Sequence, residues 1–144
     1  MFSKQQHQQE IAFLYIDLDR FKAVNDVFGH QVGDQLLIQL TARIHQLWGD
    51  RSKLLRIGGD EFLMVLENTS VSKASEMSEQ ILNLIQDSFL IDGKTINISG
   101  SIGIAMYPEH GKNLQDLLVN ADAAMLSSKY QGRNTYSVFN FSSD

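Results

Sequence analysis

The sequence predicts an α+β fold: a mixed, largely antiparallel sheet flanked by helices that pack on one side of it. Three observations carry that expectation. Short apolar runs have strand length, longer stretches between them have helical spacing, and paired runs are joined by glycine-bearing turns. In chain order they read β-α-α-β-β-α-β-β-α-β, an arrangement related to the split β-α-β unit. The 144 residues, 43% of them hydrophobic, suffice for one such core and not for two. The expected organisation is a polar extension over residues 1–10, glutamine-rich and reading as a frayed start or a cut into something longer. A single domain then covers residues 11–141.

Ile11 to Ile16 is a nearly unbroken apolar run ending at Asp17, the profile of a strand buried on both faces. Asp19 is placed to cap a short helix carrying Phe21, Val24 and Phe28, which Gly29 stops. Gly33-Asp34 opens a stronger helix, in which Leu36, Leu37, Leu40, Ile44, Leu47 and Trp48 recur at helical spacing. Leu54 to Ile57 and Phe62 to Leu66 form a hairpin around Gly58-Gly59-Asp60-Glu61, with the paired glycines supplying positive φ. Ser72 or Ser75 starts the next helix, whose inner face is Met77, Ile81, Leu84 and Ile85. Asp92-Gly93 is a second hairpin signal, between Phe89-Leu90-Ile91 and a long strand from Thr95 to Met106. Asn113 caps a final helix from about Leu114 to Tyr130, stopped at Gly132, and Thr135 to Phe139 closes the pattern as a strand.

Composition excludes several classes of function. Without cysteine there is no disulfide framework, thiolate zinc site or cysteine nucleophile. Lys+Arg of 12 against Asp+Glu of 17 gives a net charge of −5, the wrong balance for neutralising a run of nucleic-acid phosphates. One small phosphorylated ligand needs only a few local cations and stays allowed. No stretch has the roughly 18 to 20 apolar residues of a membrane span, and MFSKQQHQQE has no apolar core for a signal peptide. The expectation is a cytoplasmic domain that contacts neither nucleic acid nor membrane.

Charged residues and glycines collect where elements end. Asp17 closes the first strand, Asp19 follows, and Asp60 and Glu61 occupy the hairpin tip. If those strands are neighbours, three or four carboxylates meet at one sheet edge. Like charges held so close repel unless a cation sits among them. Hard divalent cations take carboxylate and carbonyl oxygens, and magnesium usually adds substrate phosphates. The plainer alternative is a solvated hairpin tip and a helix cap. Gly58 and Gly59 beside two acids leave the backbone bare, which lets a bulky ligand approach or merely permits the turn. Lys22, Lys129 and Arg133 are candidate phosphate ligands. The last two are four apart at the end of a helix, where the dipole alone favours cations. Asn25 and Asp34 are ordinary capping residues, yet an amide and a carboxylate together can read a guanine edge. His30 between them reads more simply as a packed or exposed histidine.

Arg56-Ile57-Gly58-Gly59-Asp60-Glu61-Phe62 resembles the signature of the GGDEF family, the diguanylate cyclases. Upstream, Asp17-Leu18-Asp19-Arg20-Phe21-Lys22, Asn25-Asp26, Gly29-His30 and Gly33-Asp34 resemble that family's pattern at its spacing. Downstream, Ser101-Ile102-Gly103-Ile104-Ala105 does so too. So does Ala121-Asp122-Ala123-Ala124-Met125 through Lys129 to Gly132-Arg133-Asn134. The likeness covers about residues 11 to 139. It implies a fold like the palm of nucleotidyl cyclases and polymerases, with a ferredoxin-like core. It also implies a reaction, in which two GTP condense to cyclic di-GMP and two pyrophosphates across a homodimer.

Carried over by position, the resemblance implies that Asp17, Asp60 and the Leu18 carbonyl hold Mg²⁺, with Mn²⁺ an allowed substitute. Glu61 ligates a second metal or helps deprotonate the attacking 3′-hydroxyl. Asp60, Glu61 and Lys22 are the catalytic set. Asn25 and Asp34 read guanine with His30 nearby, and Gly58 and Gly59 line the substrate. Lys22, Lys129 and Arg133 neutralise the β- and γ-phosphates. Two departures qualify the likeness. The Arg-x-x-Asp product-inhibition site of many relatives is replaced by Gly49-Asp50-Arg51-Ser52, so feedback through it is not expected. The leading Asp-x-Leu-Thr-Gly-Leu-x-Asn-Arg segment has no counterpart, which points to a domain cut from a larger protein. Tyr136 to Phe141 resembles relatives that continue into an EAL phosphodiesterase domain. The parent chain is expected to add a sensor or EAL domain and is free to be membrane-anchored. A second class of function follows from that context: a GTP-binding module regulating an adjacent phosphodiesterase.

Overall fold

A computed structural model describes residues 9–51 and 54–141. Most of the polar extension and Ser52 of the replaced inhibitory window lie outside the described residues. Strand β1 (Ile11–Asp19) leads into helices α1 (Phe21–Phe28) and α2 (His30–Trp48). The hairpin β2 (Leu54–Arg56) and β3 (Glu61–Glu67) follows, then α3 (Val71–Gln86). After these come β4 (Phe89–Ile91), β5 (Lys94–Ile96), β6 (Ser99–Tyr107), α4 (Leu114–Tyr130) and β7 (Thr135–Val138).

The main sheet has the order β2-β3-β1-β6-β7, antiparallel except for the parallel pair β6–β7. β1 lies at its centre, hydrogen-bonded on both edges, which accounts for its continuous apolar run. Alternation along β1 divides the core. Leu14, Ile16 and Leu18 join Ile102, Ile104 and Met64 under α2 and α3, where Leu36, Leu40, Ile44, Ile81 and Ile85 meet them. Phe13, Leu63 and Ala105 point the other way, against Leu117 and Ala121 of α4. Helices therefore cover both faces of the sheet, not one as the element order predicted. A strand apolar on both sides needs partners on both sides.

Several predicted boundaries shift, each for a local reason. The long strand expected from Thr95 to Met106 is broken at Asn97–Ile98, so β4 and β5 form their own two-stranded sheet. Asn97 Oδ1 accepts from Ser88 Oγ at 2.7 Å, closing that small hairpin away from β6. Helix α2 begins at His30, not at Gly33-Asp34, because Gly29 with φ 97° is at once the end of α1 and the cap of α2. Gly33 lies inside α2, where a side chain would collide with Asn25 Oδ1 of α1. Ser70, not Ser72 or Ser75, caps α3 by accepting from the Lys73 N–H at 3.1 Å. Asn113 caps α4 as predicted, accepting from Asp116 N–H at 2.8 Å.

Candidate active site

The register of the central strands assembles the site. Asp17 in β1 is paired directly with Glu61, the first residue of β3. The hairpin tip is fastened to the end of β1 where Leu18 N–H donates to the Asp60 carbonyl at 3.0 Å. Within the tip, Ile57 N–H and Gly58 N–H both donate to the Glu61 carbonyl, at 2.9 and 3.2 Å. Arg56 reaches over it, Nε donating to the Gly58 carbonyl at 3.1 Å and Nη2 to the Gly59 carbonyl at 2.7 Å. Neither Gly58 nor Gly59 adopts the positive φ that a tight two-glycine turn predicted. These carbonyl contacts shape the turn instead. A Cβ on Gly58 would stand 3.1 Å from Glu61 Oε1, whereas one on Gly59 would meet nothing within 4 Å.

Asp17, Asp60 and Glu61 each present a carboxylate oxygen within 4.8 Å of the others. Asp17 is buried and the other two are half-buried. Its Oδ2 is ion-paired with Lys129 Nζ, while its Oδ1 is buried without a hydrogen-bond partner among the described residues. Burial pushes the Asp17 carboxyl up to about 6, and Asp60 and Glu61 add to that rise against the opposing pull of Lys129. An orphaned buried oxygen beside two further carboxylates, with no histidine or cysteine in the cluster, suits a hard divalent cation. The residues fit magnesium or manganese.

Asp19 belongs to a different arrangement. It neither caps α1, whose cap is Arg20 with φ 62°, nor joins the acidic cluster. Ser99 Oγ donates to its Oδ2 at 2.7 Å, Ser101 Oγ to its Oδ1 at 2.9 Å, and Asn134 N–H to its Oδ2 at 3.4 Å. Arg133 Nε lies 3.8 Å from Oδ1. Asp19 thus ties β1 to β6 and to the turn after α4. Arg133 is not on the end of that helix but three residues past it, with φ 66°. Lys129 and Arg133 still reach the same sheet edge, each on its own β1 carboxylate.

The other candidates lie on α1 and α2. Lys22 on α1 and His30 and Asp34 on α2 are exposed, and Asn25 is half-buried against Gly33. Among the described residues, no hydrogen bond or ion pair joins Lys22, His30 or Asp34 to the three carboxylates. Two further residues reach the site. Tyr15 Oη donates to Glu61 Oε1 at 2.9 Å, and burial, then Glu61, hold its hydroxyl above the ordinary tyrosine value. Asp122 on α4 is raised by burial and by Glu61, with Lys129 opposing. Strand alternation placed Tyr15 on the face of Asp17; Asp122 stood in a matched block with no role assigned to it.

The family model described as "Diguanylate cyclase, GGDEF domain" matches residues 1–135. The chain belongs to the GGDEF domain family. It is 42% identical over 131 residues to the bifunctional diguanylate cyclase/cyclic di-GMP phosphodiesterase MucR of Pseudomonas aeruginosa, covering 91% of this chain. It spans 19% of the length of that protein. The crystal structure of the GGDEF domain of YfiN (TpbB) from Pseudomonas aeruginosa superimposes with a TM-score of 0.87 at 36% identity, covering 95% of this GGDEF domain and 86% of that chain. The active GGEEF domain of a diguanylate cyclase from Vibrio cholerae gives a TM-score of 0.85 at 30% identity, covering 97% and 88%. The fold is that of the GGDEF cyclase domains, and no helix among the described residues is long and apolar enough to cross a membrane.

Proposed function

We propose that this GGDEF domain is a cytoplasmic diguanylate cyclase, condensing two GTP into cyclic di-GMP and two pyrophosphates across a homodimer. The observation that carries the reading is the convergence of Asp17, Asp60 and Glu61 around an orphaned buried oxygen, on the family signature. In each of two steps a 3′-hydroxyl attacks an α-phosphorus, the bond to the β-phosphate oxygen breaks, and pyrophosphate leaves. Asp17, Asp60, Glu61 and the Leu18 carbonyl would hold Mg²⁺ or Mn²⁺. When bound, such cations sharpen the hydroxyl and neutralise charge on the departing pyrophosphate.

The chain's own groups supply the rest. Glu61 would ligate a second cation or help accept the proton of the 3′-hydroxyl. Gly58 and Gly59 leave the tip open to the nucleotide. Asn25 and Asp34, with His30 beside them, read the guanine edge. Lys22, Lys129 and Arg133 bind the β- and γ-phosphates, which requires Lys129 and Arg133 to exchange Asp17 and Asp19 for phosphate oxygens.

MucR, named as both cyclase and phosphodiesterase, favours one alternative: a GTP-binding module that controls a phosphodiesterase domain in a longer parent chain. Incubating a covalently enforced dimer with GTP and Mg²⁺ separates the two. The cyclase reading expects cyclic di-GMP from the parent and none from Asp60→Asn, with folding retained because the change removes repulsion as well as a ligand. GTP binding without product in a dimeric sample transfers the conclusion to the regulatory module.

A further inference from the structure

Among the described residues, Tyr15 is the one uncharged side chain hydrogen-bonded to the acidic cluster. Strand alternation sets it two residues before Asp17 on the same face of the sheet. Its ring packs against the cluster of Phe13, Leu63, Ala105, Leu117 and Ala121, so the ring is held by the core beneath α4. Its hydroxyl crosses to β3 and donates to Glu61 Oε1 at 2.9 Å. Glu61 needs such a partner. It faces Asp17 in register, its carboxylate stands within 4.8 Å of the other two, and the charge of Asp122 acts on it from α4. A glutamate with three free torsions, surrounded by like charges and bordered by the bare backbone of Gly58, would swing outward. A donated hydrogen bond to a carboxylate opposes that repulsion and selects one side-chain conformation.

We propose that Tyr15 is a positioning residue: its hydroxyl fixes Glu61 among the carboxylates that gather to hold a divalent cation. The inference deepens the cyclase reading and rests on it for its kinetic consequence, but its direct consequence is metal affinity. Tyr15→Phe keeps the ring and its packing and removes one oxygen. Mn²⁺ binding is read by paramagnetic resonance in the presence of 3′-deoxy-GTP, which lacks the attacking hydroxyl and cannot turn over. A hydrogen bond to a charged group is worth enough that Tyr15→Phe should weaken Mn²⁺ about tenfold, while the metal-free protein stays folded with its thermal midpoint only modestly lowered.

With GTP and Mg²⁺, kcat should fall while KM for GTP holds. In a Glu61→Gln background, Tyr15→Phe should cost no further Mn²⁺ affinity, because the two changes remove one coupled unit. Mn²⁺ affinity within twofold of the parent, or additive losses in the double variant, overturns the proposal. A parent that binds Mn²⁺ with 3′-deoxy-GTP yet yields no product from GTP sinks the cyclase reading alone, and the titration still decides on Tyr15. A parent that binds no Mn²⁺ overturns both.

Discussion

Asp17 is caught between two environments. Its Oδ2 has Lys129, its Oδ1 has nothing among the described residues, and the strand around it is buried. Desolvation outweighs the lysine, so the carboxyl titrates near 6 rather than 3.8. Between those values the folded chain binds more protons than the unfolded chain, and stability falls as pH rises. The Asp17→Asn variant lacks this titration. In EDTA, the stability of the parent relative to the variant should therefore drop by about 2 kcal/mol between pH 4 and pH 7. Urea unfolding of both proteins across that range measures it; parallel curves would mean that Asp17 titrates as an exposed carboxylate does. The acidic trio was legible in the sequence because Asp17 closes the first apolar run and Asp60 and Glu61 sit in the glycine-bearing tip of the hairpin. Asp19 was not distinguishable from it, since its partners Ser99 and Ser101 lie some eighty positions away. Tyr15 was hidden inside an apolar run that its ring serves equally well.

At the level of elements, Gly103 decides how α4 approaches the sheet. A Cβ there would fall on the backbone of Ala121 and Met125, so α4 lies directly on β6. Ser128 Oγ locks the contact by donating to the Ile102 carbonyl at 2.8 Å. That close approach brings Asp122 and Lys129 to the carboxylates. Gly103→Ala should destabilise by about 1–3 kcal/mol or more through overpacking, and should lower cyclase activity because α4 is displaced. Gly59→Ala is the contrasting case. Its φ is not positive and its Cβ would touch nothing, so stability should stay within about 0.5 kcal/mol while GTP binding weakens. Thermal denaturation and nucleotide titration of the two variants check both halves. Stability lost at Gly59 would make that glycine a requirement of the turn, not of the ligand. The elements themselves followed from periodicity, and the failures have a physical cause. An apolar pattern of period two runs unbroken through Asn97–Ile98, and the Ser88–Asn97 bond marks where one sheet ends and another begins. Likewise, Gly29 ends one helix and caps the next, which no spacing of apolar residues announces.

The whole molecule offers one set of three gathered carboxylates among its described residues, at one edge of one sheet. Cyclic di-GMP contains two nucleotides joined by two equivalent linkages, so one such set per chain can activate only half of the bonds to be made. In the proposed mechanism two chains would therefore face each other, each supplying a loaded half. If pairing is weak, the active species is scarce at low protein concentration, and its share follows mass action. Specific activity should then rise in proportion to protein concentration in the dilute range, about tenfold for each tenfold step, and level off once dimers dominate. A chain locked as a dimer by an engineered crosslink should show the plateau value at every concentration. The check is product formation measured over a dilution series of both proteins, with sedimentation reporting the monomer fraction. Specific activity that stays flat where sedimentation finds only monomer would mean that a single chain builds both linkages, and the requirement for opposed sites would fall.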